Sequence, residues 1–263
     1  MGGLFMPDNY VIVAPTALEM NIASLVWGIS LGFAMFTFAK ACRQTYGVWK
    51  RKRAVNAYII MVWIEWLVCF VISIMCWFFL WGSIAPSFAL FFSIITLWVF
   101  QVQCIIQIII NRIALLVRDR KNIRRMQWGA VIFMSLINIS VYCIWIPSML
   151  QVSDTFTKVN TIWDRITKVL FAILDVALNV YFIHLIRSKL IANGLTKYNR
   201  LFYYNIGMIC ISLSLDVILI GTMSIGNGFI YVQFHPLVYG IKLHIEMNLA
   251  DLIAKTVRGD NSS

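Results

Sequence analysis

Charge is scarce in this chain. Asp, Glu, Lys and Arg make up 13% of its 263 residues, where a soluble domain carries about a quarter. That shortage excludes a globule coated with polar side chains. Five prolines and 14 glycines exclude a low-complexity segment, and no internal repeat is visible. Only three histidines occur, His184, His235 and His244. No two of them stand one helical turn apart, so neither a haem nor a metal site is expected, and no cofactor is implied. The six cysteines fall in apolar runs or the first basic loop, none in a segment expected outside. They read as small packing residues rather than a disulfide framework. Residues 1–15 contain no Lys or Arg, so a cleavable signal with a charged start is not expected.

What the chain does have is apolar length. Hydrophobic residues account for 61% and the mean hydropathy is +0.82. A helix needs about 20 apolar residues to cross the hydrocarbon core. Runs of that kind lie near residues 16–39, 55–80, 88–117, 127–147, 166–186, 201–222 and 229–253. The expected fold is therefore an all-α bundle of seven transmembrane helices in a single domain. The net charge of +11 is not spread as a nucleic-acid reader would need. It clusters between spans: Lys40, Arg43, Lys50, Arg51, Lys52 and Arg53, then Arg118, Arg120, Lys121, Arg124 and Arg125, then Arg187, Lys189, Lys197 and Arg200. The alternate loops are nearly free of Lys and Arg. The positive-inside rule then places the N-terminus outside and the C-terminus, with Lys255 and Arg258, in the cytosol. Clustered cytosolic basic residues also suit anionic headgroups. The longest outside segment is expected at about Ser148 to Arg165, too short for a soluble catalytic domain. The sequons at Asn138 and Asn261 fall within a span and on the cytosolic side, so neither is expected to carry glycan.

Ionisable groups within a bilayer are costly and are candidates for function by default. Glu65, Asp175, Asp216, Lys242 and Glu246 all fall inside spans. His235, Tyr239, Lys242 and Glu246 stand at i, i+4, i+7 and i+11, one face of the last helix. That stripe must look into the bundle. Lys242 and Glu246 are a turn apart and can pair, either as a neutralised pair that fixes packing or as the lining of a pocket that handles protons. Gln103, Gln107 and Asn111 form a second stripe, read either as interhelical hydrogen-bonding glue or as pocket lining. Arg112 is expected to snorkel to the cytosolic interface. Asp175 and Asn179 share one face, as do Ser212 and Asp216. Glu65 has Cys69 one turn on and Trp63, Trp66 and Trp77 nearby. An acid in a dry aromatic setting can serve as a proton donor, with aromatic faces steadying a carbocation. Its plain alternative is an acid bonded to a neighbouring helix. A single lysine on the last helix invites a retinal reading, but no acid on the third helix stands as counter-ion.

The layout resembles that of G-protein-coupled receptors, yet their motifs are not met. No acid precedes Arg112, the sixth span has no proline, and His235-Pro236-Leu237-Val238-Tyr239 lies at the wrong end of its helix. The residues Ile110-Asn111-Arg112-Ile113-Ala114, Ile144-Trp145-Ile146-Pro147, Trp163-Asp164-Arg165, Phe234-His235-Pro236-Leu237, Lys242 and Ile245-Glu246-Met247 resemble those of a group of fungal seven-helix integral membrane proteins of unassigned activity. Some of that group are linked to secondary-metabolite pathways. By size and helix count the chain is also similar to membrane-bound terpene cyclases of meroterpenoid pathways. That likeness implies an acid on an early helix and another on a late one, roles that Glu65 and Asp216 fit by position.

The expected function is the handling of a lipophilic small molecule in an intramembrane pocket, with a cyclase-like role in secondary-metabolite biosynthesis. Glu65 and Asp216 would then be the catalytic acids. Gln103, Gln107, Asp175, Asn179, His235, Tyr239, Lys242 and Glu246 would line the pocket. The alternative is a receptor-like sensor that signals to a cytosolic protein through its basic loops. A transporter is a third class, weakened by the lack of paired broken helices. The endoplasmic reticulum and the plasma membrane are both open as locations.

Overall fold

The computed structural model describes residues 10, 15–53, 56–117, 119–188, 199–222 and 228–259. Arg118, Lys189, Lys197, Asn261 and the side chains of Lys52, Arg200, Lys255 and Arg258 lie outside the described residues, so the expectations placed on them are not addressed. The described chain is all-α. Its helices are α1 (Ala17–Lys52), α2 (Ala57–Leu80), α3 (Phe88–Ala114), α4 (Arg120–Met149), α5 (Asp154–Ile186), α6 (Asn199–Thr222) and α7 (Gly228–Gly259).

Local chemistry sets the helix starts. Thr16 and Glu19 form a reciprocal capping box at α1, and Asn56, Ser87, Asp119 and Ser153 each accept a backbone N–H in the first turn of α2 to α5. Those side chains satisfy amides that a helix start otherwise leaves bare. At the far end of α1, Arg53 closes the helix in the left-handed region at φ 48°.

Several helices outrun the apolar runs that announce them. α1 continues to Lys52 rather than ending near residue 39, α4 starts at Arg120 and α5 at Asp154. The segment expected as a loop from Ser148 to Arg165 is thus mostly the first three turns of α5. The physical reason is that hydropathy marks the hydrocarbon boundary, whereas a capped helix runs on into the polar headgroup zone. At 36 residues, α1 is about 54 Å long against a core of about 30 Å.

The molecule is inverted relative to a soluble protein. Large apolar side chains face outward, among them Met35 at 74%, Val217 at 69% and Leu136 at 65% exposure, while Glu65, Gln101, Asn205 and Gln233 are at 0%. Among the described residues, six helices, α1 to α6, are long and apolar enough to cross a membrane. The chain is accordingly a multi-pass membrane protein. α7 is the exception in composition, and packing explains it. It lies against α1, α2, α3 and α6, so much of its circumference meets protein rather than lipid and can be polar. A seam on α1 matches it. Thr37 faces His244 Nδ1 at 3.4 Å, Lys40 bonds Asn248, and Gln44 Nε2 donates to the Met247 carbonyl at 3.0 Å.

Candidate functional site: a buried charge network and an aromatic cavity

The stripe expected on α7 does face inward: His235, Tyr239, Lys242 and Glu246 are all buried. Its pairing differs from the expectation. Lys242 and Glu246 do not join each other. Lys242 Nζ lies 2.8 Å from Asp175 Oδ2 on α5 and 2.7 Å from the Asp216 carboxylate on α6. Glu246 is held instead by Arg112 of α3, Nη1 to Oε1 at 3.0 Å. Arg112 does not snorkel. It is 1% exposed, its second amino group donates to Asn179 Oδ1 at 2.5 Å, and its guanidinium lies 4.3 Å from the centre of the Phe182 ring. A planar, always-charged fork suits this double engagement, and the aromatic face compensates part of the lost hydration.

Asn179 joins the two halves. While accepting from Arg112 it donates to Asp175 Oδ1 at 2.7 Å, and Ser212 Oγ donates to Asp175 Oδ2 at 3.5 Å. One continuous network therefore runs Glu246–Arg112–Asn179–Asp175–Lys242–Asp216 and fastens α3, α5, α6 and α7 together. In it three carboxylates face two cations. Of the residues expected to line a pocket, Asp175, Asn179, Lys242 and Glu246 meet here, and Asp216 joins them. Arg112 is the member that reading the sequence missed. The stripe of Gln103, Gln107 and Asn111 did not point to it: Arg112 stands on another face of α3, in line with the wholly buried Gln101 eleven residues earlier.

Glu65 stands apart from this chain of contacts. It is wholly buried. Cys69 Sγ approaches its Oε1 at 3.7 Å, and Gln101 Nε2 of α3 donates to Cys69 Sγ at 3.0 Å. Glu65 Oε2 has no partner among the described residues. The indoles expected around it turn toward α1 instead. Trp63 bonds Thr45, Trp66 the Ala34 carbonyl and Trp77 the Ser24 hydroxyl. Gln107 lies on the α4 side of α3, donating to the Gln127 carbonyl at 3.4 Å. Gln103 is half-buried, with Oε1 unpartnered among the described residues. Neither glutamine touches the network.

A second cluster lies one step along α7, at the end of the bundle where α3, α5 and α7 begin and α2 and α4 end. A partly open cavity of about 30 Å³ is lined there by Trp98, Trp145, Asp164, Lys168, Tyr231 and His235, with Ile72, Ile94, Ile95, Val141 and Val232 as its apolar wall. Lys168 falls within the span expected at 166–186 and is not among the residues singled out in the sequence. It is 6% exposed, 3.6 Å from Asp164 Oδ1 and 4.2 Å from the centre of the Trp98 ring. His235 packs edge-on against Tyr231, with centroids 4.6 Å apart, and stacks over Tyr239 at 6.1 Å. Tyr239 in turn lies 6.0 Å from Lys242 Nζ. α7 thus carries an unbroken line from cavity to network.

No protein-family model, curated protein or solved structure matches the chain.

Proposed function

We propose that the chain spans the membrane seven times, N-terminus outside and C-terminus cytosolic, and binds a lipophilic small molecule among its helices. Binding at the aromatic cavity is read by the charge network and passed to a cytosolic partner, in the manner of a receptor-like sensor. The observation that carries this reading is the line His235–Tyr239–Lys242 on α7, which ties the cavity to a network fastening α3, α5 and α6. A ligand that shifts α7 must act on those ion pairs, and packed polar cores rearrange between discrete states. The even spacing of basic loops supports the topology, and the residues quoted above support kinship with the fungal seven-helix group.

One observation favours a second reading, the cyclase. Glu65 is an enclosed acid with an oxygen that no described residue engages, as a proton donor to an alkene would be. Asp216 fits a partner acid less well, because Lys242 already holds it.

Deleting the gene in its native host separates the two. For a sensor, product and precursors fall together with the transcripts of their pathway, and a Glu65→Gln gene restores them. For a cyclase, an uncyclised precursor accumulates and Glu65→Gln does not rescue. An unchanged metabolite profile and transcript pattern would count against both.

A further inference from the structure

The cavity beside Trp98 has a hydrogen-bonding character that selects among headgroups. His235 is 3% exposed, and its Nδ1 lies 3.2 Å from the Tyr231 carbonyl oxygen. A carbonyl only accepts, so Nδ1 is the nitrogen that carries the proton. The neutral ring then presents Nε2 as a bare acceptor, and Nε2 has no partner among the described residues. Two further groups without a partner among the described residues, Trp98 Nε1 and the Tyr231 hydroxyl, also line the cavity, and on the α7 backbone a donor is missing at Pro236. It has no N–H to offer the carbonyl of Val232, which also lines the cavity. The other polar wall is of opposite kind. The Lys168 ammonium has only donors. Asp164 stands off at 3.6 Å and the Trp98 ring centre at 4.2 Å, so N–H capacity is left over.

A group that fills this space must donate to an imidazole nitrogen and accept from an ammonium. A hydroxyl does both. A carboxylate or an ether only accepts, and an ammonium only donates. The volume of about 30 Å³ exceeds what one water needs, roughly 10–15 Å³, and suits a hydroxyl with the carbon that bears it. Apart from the Tyr231 hydroxyl, the remaining wall is isoleucine, valine and tryptophan, the lining that favours an apolar body over a cluster of waters.

We propose that this cavity binds the hydroxyl end of a lipophilic alcohol, the hydroxyl donating to His235 Nε2 and accepting from Lys168 Nζ. The tail leaves through the open side of the cavity. This deepens the preceding reading, on which it rests, by naming the ligand class.

The test uses the full-length protein in lipid nanodiscs, photolabelled with hexadecanol carrying a mid-chain diazirine. Competitors are hexadecanol, its methyl ether and palmitate. Saturable labelling of α3, α5 or α7 peptides is expected, with hexadecanol about tenfold more potent than either competitor, the factor one buried hydrogen bond supplies. His235→Phe should erase the difference between alcohol and ether. His235→Gln, which restores an acceptor oxygen, should recover part of it. Should the variants fail to fold, the order of competitors on the wild-type protein decides alone. Equal potency of all three, or a preference for palmitate, overturns the hydroxyl assignment and leaves the lipophilic-ligand reading standing. Labelling that no competitor saturates means that the cavity holds water only and overturns both.

Discussion

Replacing Lys242 by methionine would leave Asp175 and Asp216 facing each other without the ammonium that now lies within 2.8 Å of both. Uncompensated buried charge is the expensive failure, and the expected loss is about 3–5 kcal/mol. It should appear as a sharply lowered melting temperature in detergent, or as no folded protein at all. Converting Asp175 and Asp216 to asparagine in the same chain should recover most of it, since the cost lies in the orphaned carboxylates and not in the missing lysine. A single substitution as harmless as an exposed one would show that the ammonium is not the tie between α5, α6 and α7. Arg112→Lys is predicted to be nearly as harmful as Arg112→Met, because an ammonium cannot reach Glu246 and Asn179 together as the guanidinium fork does. These residues also mark what reading the chain can reach. The α7 stripe was legible, because spacing along one helix fixes which side chains share a face. The partners were not. Lys242 and Glu246 are neighbours by number, but their counter-charges come from α5, α6 and α3, and nothing in the local sequence says which helix stands opposite.

Helix ends follow a different logic from helix middles, and α1 shows both. Its middle is announced by hydropathy, while its start depends on the capping box between Thr16 and Glu19. Thr16→Ala should cost about 1 kcal/mol, felt locally. Hydrogen exchange would quicken in the first turn of α1 and stay unchanged in α2 and α3. Faster exchange throughout the bundle would mean that the cap has a global role. The far end of α1, and the starts of α4 and α5, were misplaced by apolar-run reading for a related reason. A helix persists while its backbone bonds are met, so it does not stop where the lipid does. α7 inverts the lesson. Its polar residues lower its hydropathy, yet it packs against α1, α2, α3 and α6, and the stripe that weakens it as a lipid-facing span is what qualifies it as the inner helix. Trp98 and Lys168 went unnoticed as a pair because an aromatic and a cation on different helices leave no periodic trace.

At the scale of the whole molecule, the up-and-down helix order makes the topology a single binary choice. The turn between α2 and α3 and the turn between α4 and α5 lie at one end, and the turn between α3 and α4 at the other. Ser83 and Asp154 are exposed at the first end and Lys121 at the second. With N-terminus outside, a membrane-impermeant maleimide applied to intact cells, or to the lumen if the protein resides in the endoplasmic reticulum, should modify Ser83→Cys and Asp154→Cys. It should reach Lys121→Cys only from the cytosol. The reverse pattern would turn the molecule over, and it would also move the aromatic cavity, which shares its end with Ser83 and Asp154, to the cytosolic half. The orientation therefore bears on function as well as on placement. With the cavity in the outer half, a lipophilic ligand enters from the far leaflet and the network stands between it and the basic cytosolic surface, the order a sensor requires. Inverted, ligand and cytosol would share one side, and the network would have no signal to carry across.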